Sequence, residues 1–150
     1  MSDKLALRPA QPQDFAYCQR VYFECMKWII QTLNLDLAQH REGFARQWQL
    51  AEVRIITVAG EDVGWLQTAL ADDAIFLGQL YLEGRFQRQG IGSRVIRAVI
   101  DEATRQRKAV TLGVVKINPA RPLYKRLGFS VTHEDQYKVY MRREPDRMPA

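Results

Sequence analysis

The chain has 150 residues, of which 47% are apolar and 26% are charged, with a formal net charge of +5. This composition is ordinary for a globular protein, and the length suffices for one adequate core. No apolar run approaches the roughly 20 residues that a membrane-spanning helix needs, which excludes that class. We therefore predict a single domain over residues 1–150.

The net charge of +5 is compatible with two kinds of partner, a nucleic acid or a small anionic ligand. The basic residues form no long run, and no aromatic stacking platform is interleaved with them. A small phosphate-bearing ligand is therefore favoured over a nucleic acid.

The N-terminus and the two cysteines indicate in which cellular compartment the protein is expected. Met1 to Lys4 leads directly into a strand pattern, so no signal peptide is expected. Cys18 and Cys25 lie on one predicted helix, about 10 Å apart along its axis, which is too far for a disulfide. We interpret them as buried thiols of a cytoplasmic protein.

The first half of the chain predicts two helices followed by a strand meander. Apolar residues spaced by three and four indicate the helices, and β-branched alternation with turn residues indicates the strands. The first helix has Pro12 in its first turn, and two turns, Gly60 to Asp62 and Asp72-Asp73, join the last three strands. The predicted elements are a strand Leu5–Arg8, a helix to about Gln31, a helix Leu37–Gln49, and strands Val53–Ala59, Val63–Leu70 and Ile75–Leu82.

The second half predicts a helix, a buried strand, a short helix and a final hairpin. The continuous apolar character of Val110–Val115 indicates burial on both faces, and a strand-helix-strand crossover makes this strand parallel to Ile75–Leu82. The tail, residues 144–150, is predicted to be disordered. The other elements are a helix Gly92–Arg107, a helix 119–127 ending at Gly128, and strands Phe129–Thr132 and Tyr137–Met141.

A glycine-bearing loop, Gln87 to Gly92, joins the predicted strand Ile75–Leu82 to a helix N-terminus. Unpaired N–H groups and the helix dipole make such a terminus suitable for a phosphate. The loop is not a Rossmann fingerprint, because Val95 stands where a third Gly or Ala is needed, and the Gly-Lys-Ser/Thr of a P-loop is absent.

Two segments together resemble the GNAT superfamily of acyl-CoA-dependent N-acyltransferases. Gln87-Arg88-Gln89-Gly90-Ile91-Gly92 fits the family's acyl-CoA loop, Gln/Arg-x-x-Gly-x-Gly/Ala, at every fixed position. Asn118, Tyr124 and Leu127-Gly128-Phe129 fit its second arm. The resemblance covers residues 50 to 143 well. It implies an α/β (α+β) fold with a mixed, mostly antiparallel sheet of about seven strands. Helices are expected on both faces, and the parallel pair 75–82 / 110–115 is expected to splay apart.

The resemblance implies acetyl-CoA as co-substrate and places its contacts. Backbone around Leu80 to Leu82 would pair with the pantetheine arm, and the Leu82 N–H would polarise the thioester oxygen. The pyrophosphate would lie on the amides of the loop. The expected cofactor-binding residues are Leu80, Tyr81, Leu82, Gln87, Arg88, Gln89, Gly90, Ile91, Gly92, Ser93, Asn118 and Tyr124.

Tyr124 and Asn118 each carry two interpretations. Tyr124 is the candidate general acid for the leaving thiolate, or else a tyrosine packed on its helix. Asn118 before Pro119 is typical of a helix N-cap, while the resemblance implies a hydrogen bond to the pantetheine arm. Both roles of Asn118 are compatible.

The general base is not fixed by the sequence. The resemblance places a carboxylate near Phe76, which is apolar. Glu83 is the candidate base, with a solvated surface charge as its alternative. Gln79, Glu24, His133 and Glu134 are further candidates, and Gln79 could only position a water.

The resemblance implies an N-acetyltransferase that acts on a primary amine of a small molecule, peptide or protein by direct attack in a ternary complex. The alternative is a non-catalytic acyl-CoA-binding or sensing module, and a basic nucleic-acid binder is weaker still. Neither a metal nor a membrane partner is expected, and a homodimer is left open. Tyr22, Trp28, Trp48 and Tyr137 could line the acceptor site, but the acceptor itself is not identified.

Overall fold

The computed structural model describes residues 4–146, so the predicted disorder of residues 147–150 lies outside the described part. Each predicted helix and strand is present, with ends shifted by up to a few residues. The elements are β1 Leu5–Pro9, α1 Asp14–Thr32, α2 Leu37–Gln47, β2 Val53–Val58, β3 Glu61–Leu70, β4 Ala74–Leu82, α3 Ile91–Arg105, β5 Ala109–Val115, α4 Arg121–Arg126, β6 Ser130–Glu134 and β7 Lys138–Arg143.

The strands form one seven-stranded sheet in the order β1-β2-β3-β4-β5-β7-β6. β4 and β5 pair in parallel, and the other ladders with a described register are antiparallel. The parallel ladder runs from Ala74↔Ala109 to Leu77↔Leu112, although β4 continues to Leu82. The predicted mixed, mostly antiparallel sheet with one parallel pair is confirmed, and that pair stays together over only part of β4.

The described residues divide into two compact units. The first comprises residues 4–67 and 79–89, and the second comprises residues 68–78 and 90–146. In the first unit, α1 and α2 pack on the sheet through Cys18, Phe44 and Trp65, all buried. On the opposite face of the sheet, Ile56 of β2 and Leu66 of β3 are fully buried as well. Because successive strand residues point to opposite faces, both faces of this part of the sheet are covered.

In the second unit, α3 buries its apolar stripe and exposes Arg94, Arg97, Asp101 and Arg105. The predicted burial of β5 on both faces is wrong in part, because buried residues alternate with partly exposed ones from Val110 onward. Gly113 lies on the less buried face, where an added Cβ would meet the Tyr140 ring at 2.9 Å. That face is therefore occupied partly by a side chain of β7.

Two local predictions need correction. The hairpin turn between β2 and β3 is Ala59-Gly60, with φ of 52° and 83°, and β3 begins at Glu61 rather than Val63. Positive φ at both central residues is the signature of a type I′ turn, which matches the twist of the two strands. Pro12 lies in the turn before α1, since the helix begins at Asp14.

Arg8 ties three elements of the first unit together. Its guanidinium donates to both carboxylate oxygens of Asp14, at 2.9 and 3.2 Å, and to Asp62 at 3.1 Å. The Gln11 N–H also donates to Asp14, whose side chain is 12% exposed. The hydrogen bond from Arg8 is the largest cause that lowers the pKa of Asp14.

We expect Asp14→Asn to lower the free energy of unfolding at pH 7 by about 1.5–3 kcal/mol, the range for a hydrogen bond to a charged group. A lowered folded-state pKa stabilises the protein above the unfolded value, and this contribution is lost as pH falls through the folded value. The difference from the unmutated chain should therefore shrink below about pH 4.

Urea unfolding at pH 7 and pH 3 measures this difference. Asp73→Asn is the matched control, since the Asp73 side chain is 77% exposed beside Arg142 and should have little effect at either pH. An equal cost of Asp14→Asn at both pH values would contradict the electrostatic explanation.

Candidate functional site

The end of β4 is held by contacts to both polar groups of the peptide between Leu82 and Glu83. The Glu83 N–H donates to the Val63 carbonyl on β3 at 2.9 Å. The Leu82 carbonyl accepts from the Cys25 thiol at 3.1 Å and from the Gln87 amide Nε2 at 3.0 Å. The backbone N–H and C=O groups of successive strand residues point to opposite edges of the strand. Those of Leu80 and Leu82 therefore point away from β3.

Gly64 on β3 allows this part of β4 to approach closely. A Cβ at position 64 would lie 2.2 Å from the Tyr81 carbonyl oxygen and 3.0 Å from the Leu82 Cα. Tyr81 thus directs its carbonyl toward β3, and its ring packs on Tyr22 and Trp65 at centroid distances of 5.1 and 5.5 Å. Of the three predicted backbone contacts at residues 80 to 82, the geometry leaves Leu80 and Leu82 for a ligand.

Glu83 follows β4 and is not a solvated surface charge, because its side chain is only 14% exposed. Its carboxylate accepts a 2.7 Å hydrogen bond from the Tyr17 hydroxyl of α1, and Arg85 Nε lies 3.8 Å away. Burial, followed by the contact with Glu83, raises the pKa of Tyr17 well above its usual value. The Tyr17 hydroxyl therefore remains a donor to Glu83. Sequence reasoning missed Tyr17, since nothing local marks a contact between residues 66 positions apart.

The loop after Glu83 begins with a short 3₁₀ turn, Gly84–Phe86. The Gln87 N–H donates to the Gly84 carbonyl at 3.2 Å. This corrects the expectation that the Gln87 amide faces a pyrophosphate, because that N–H is already used within the turn. Arg88 has a φ of 62°, in the left-handed region, and the Gln89 side chain donates to the Arg85 carbonyl at 2.8 Å.

α3 begins at Ile91 with Gly90 as N-cap, and the φ of 82° at Gly90 is one that glycine adopts readily. No side chain caps this helix. The first N–H groups of a helix lack partners within it, so those of Ile91, Gly92 and Ser93 are open to an external acceptor. The Ile91 side chain is 5% exposed and anchors the helix start in the core. This geometry suits an anion.

Asn118 lies in the turns between β5 and α4. Its side-chain oxygen accepts from the Ala120 N–H at 2.9 Å, and its own N–H donates to the Val115 carbonyl. The predicted N-cap role is corrected, because α4 begins at Arg121 with Ala120 as N-cap. The contact is an Asx-type turn, and the amide nitrogen of Asn118 keeps two donors for other partners.

Tyr124 is oriented by the way α4 ends. The Phe129 N–H donates to the Tyr124 carbonyl, and the Gly128 N–H donates to the Lys125 carbonyl, both at 3.1 Å. This pair of bonds with φ of 97° at Gly128 is a Schellman motif, which brings a contact between its flanking side chains. The Tyr124 and Phe129 rings meet edge to face at 5.9 Å. Burial raises the pKa of Tyr124, so its hydroxyl remains protonated at neutral pH.

We expect Gly128→Ala to destabilise the protein by about 1–2 kcal/mol, because an L side chain in the left-handed region costs that much. The added Cβ would also lie 3.0 Å from Arg143 Nε, which donates to the Leu127 carbonyl. Thermal unfolding measures the effect. Gly43→Ala in α2 is the control, because nothing lies within 4 Å of its Cβ and alanine favours a helix. Equal melting temperatures for Gly128→Ala and the unmutated chain would contradict the role of Gly128.

The remaining candidates are spread over both units. Tyr22 and Trp48 pack against the buried cluster of the first unit, while Trp28 and Tyr137 are 42% and 51% exposed. The last of these lies between β6 and β7. Among the alternative bases, Glu24 pairs with Arg20, Glu134 pairs with Lys116, the His133 ring stacks on Tyr140, and Gln79 lies within β4.

Both cysteines are free thiols, and Cys18 is fully buried. The prediction that both are buried is wrong in part, because Cys25 is half-buried. Burial is the largest cause that raises the pKa of Cys18 to about 12 and that of Cys25 to about 11. Neither thiol is therefore a thiolate at neutral pH.

Residues 4–146 contain no group of three or more His, Cys, Asp or Glu side chains that could hold a metal ion. Within the same residues, no helix combines the length and the apolar character that crossing a membrane would require.

A mixed sheet with one parallel pair, a loop leading to a helix N-terminus without a side-chain cap, and a short helix carrying Tyr124 are the features that the sequence resemblance implied for an acyl-CoA-dependent transferase. Residues 49–131 match the family model described as the acetyltransferase (GNAT) domain. The chain therefore belongs to the GNAT acetyltransferase family, which confirms the predicted resemblance and the acyltransferase class of enzyme. Among curated proteins, no match to this sequence is found.

Solved structures share this fold at low sequence identity. A PaiA N-acetyltransferase from Thermoplasma acidophilum, in complex with coenzyme A, aligns with a TM-score of 0.80 and 16% identity, over 94% of this chain and 99% of that chain. An acetyltransferase from Thermus thermophilus gives 0.74 and 20%, over 94% and 97%. The ribosomal-protein-S18-alanine N-acetyltransferase from Escherichia coli gives 0.68 and 16%, over 97% of each chain.

Proposed function

We propose that this protein is an N-acetyltransferase that moves the acetyl group of acetyl-CoA to a primary amine of a small molecule, peptide or protein, by direct attack in a ternary complex. The observation that carries the proposal is the uncapped start of α3, placed directly after β4 and its loop in a GNAT-family domain. Two similar folds bear the names of N-acetyltransferases, and one of them is in complex with coenzyme A.

The donor is proposed to bind through backbone groups. The amides from Arg88 to Ser93 receive the pyrophosphate, and the positive end of the α3 dipole adds to the attraction. The edge of β4 that Leu80 and Leu82 present would pair with the pantetheine arm as an added strand does. Asn118 keeps its amide donors for the same arm.

The chemical step needs a polarised thioester, a neutral amine and a protonated leaving group. The Leu82 N–H would donate to the thioester oxygen, whose charge grows as the amine attacks. Glu83 is the proposed base that removes a proton from the amine, supported by its shielded position after β4. Tyr124 would donate its hydroxyl proton to the coenzyme A thiolate as the carbon–sulfur bond breaks.

Direct attack is favoured over an acyl-enzyme on a cysteine. Raised pKa values near 12 and 11 keep Cys18 and Cys25 protonated, and a thiol is a far weaker nucleophile than a thiolate. The Cys25 thiol is moreover engaged with the Leu82 carbonyl.

Calorimetric titration with acetyl-CoA, with free coenzyme A as control, tests donor binding. Micromolar binding followed by thiol release with a panel of amines would support the enzyme. Binding without thiol release from any amine would favour the alternative, a non-catalytic acyl-CoA sensor, which the apolar Phe76 keeps open. No binding by the folded chain would contradict both. The cytoplasmic location, the single domain and the lack of a nucleic-acid partner stay predictions.

A further inference from the structure

The Leu82 carbonyl accepts hydrogen bonds from two side chains that have no role in the proposed reaction. One is the Cys25 thiol of α1 at 3.1 Å, and the other is Gln87 Nε2 at 3.0 Å, with Nε2 and Sγ 3.7 Å apart. A carbonyl oxygen has two lone pairs, so these two donors occupy its full acceptor capacity. The protonated Cys25 thiol can act only as a donor to this oxygen.

These contacts fix the peptide between Leu82 and Glu83 from both sides. On the other side of the same peptide, the Glu83 N–H donates to the Val63 carbonyl of β3. The backbone torsions of Leu82 are therefore held where β4 ends and its loop begins. Gly64 leaves no Cβ that would push this segment away from β3.

We propose that Gln87 and Cys25 are positioning residues that hold Leu82 so that its N–H points at the thioester oxygen of the donor. This inference rests on the proposed function. Gln87 belongs to the loop that receives the pyrophosphate, so its side chain links donor binding to the groups at the reacting carbon. A hydrogen-bond donor that polarises a carbonyl must be placed to within a fraction of an ångström, which gives such positioning a kinetic effect.

The experiment removes one donor at a time and separates kcat from KM. Gln87→Met keeps the length and neutrality of the side chain but removes its N–H groups. We expect kcat to fall about tenfold, within the hundredfold that loss of an oxyanion donor costs, while KM for acetyl-CoA and Kd for coenzyme A change less than threefold. Cys25→Ala should lower kcat less, because a thiol is a weak donor, and Cys25→Ser should restore it.

Gln49→Met is the matched control. The exposed Gln49 side chain also donates to a backbone carbonyl, that of Arg46 at 3.1 Å, and this substitution should leave kcat unchanged. Amide hydrogen exchange in the free protein adds a readout without turnover. Glu83 should exchange faster in Gln87→Met and remain as in the unmutated chain in Gln49→Met.

The outcomes separate the two proposals. An active, unmutated chain whose kcat is unaltered by Gln87→Met would overturn the positioning role alone. A rise in KM and Kd with constant kcat would likewise overturn it and make Gln87 a donor-binding residue only. An unmutated chain that binds no coenzyme A would overturn the proposed function and this inference with it.

Discussion

Tyr124→Phe is expected to reduce kcat by about 10²–10⁴-fold while the Kd for acetyl-CoA changes little, because general acid catalysis typically contributes that much. The substitution removes only the hydroxyl. The ring contact with Phe129 at 5.9 Å and the backbone bonds of the Schellman motif remain available. A loss of turnover would therefore report on the proton donor and not on the end of α4.

Single-turnover thiol release combined with calorimetry measures this effect and separates chemistry from product release. Tyr140→Phe is the control and should leave kcat unchanged, because the Tyr140 hydroxyl donates to the exposed Asp135. A raised pKa also keeps the Tyr124 phenol protonated where a free tyrosine ionises, so the activity that it supports should persist to about pH 10. Full turnover by Tyr124→Phe would remove Tyr124 from the mechanism.

Gly92→Glu is expected to abolish donor binding, with the Kd for acetyl-CoA weakened at least a hundredfold. Position 92 is the second residue of α3, where a carboxylate is favourable for the helix dipole, so folding should be retained. A carboxylate about 4 Å from a phosphate repels it by about 4 kcal/mol at the effective dielectric of a protein surface. The added side chain would also occupy space beside the proposed phosphate site, which adds to this repulsion.

Two matched variants separate the effect of the added charge on donor binding from the effect of the added side-chain volume. Gly92→Gln has the same size without the charge, and Gly43→Glu places the same charge on α2, outside the proposed site. We expect an intermediate Kd for the first and the Kd of the unmutated chain for the second. An unchanged affinity in folded Gly92→Glu would show that the start of α3 does not receive the donor.

The features that sequence predicted well are those in which nearby residues contact one another. The loop from Gln87 to Gly92 and the Leu127-Gly128-Phe129 cap each set their geometry within a few positions, through φ values that glycine tolerates. The parallel pairing of β4 and β5 followed from the crossover between them.

The features that sequence missed depend on contacts between distant positions. Tyr17 reaches Glu83 across 66 positions, and Cys25 reaches Leu82 across 57. In the sequence, Tyr17 and Cys25 are simply two residues of an amphipathic helix. Their contacts with Glu83 and Leu82 arise only when α1 packs on the sheet. The side chain of Gln87 was likewise unpredictable, because a motif fixes residue types and leaves the direction of a flexible side chain open.

The family match begins at residue 49, yet two residues that hold the end of β4, Tyr17 and Cys25, lie before it. The proposed donor-binding loop and the helix that holds the end of β4 therefore come from different parts of the sequence. Substitutions within α1 can alter how the reactive end of β4 is held while the loop and the start of α3 stay intact.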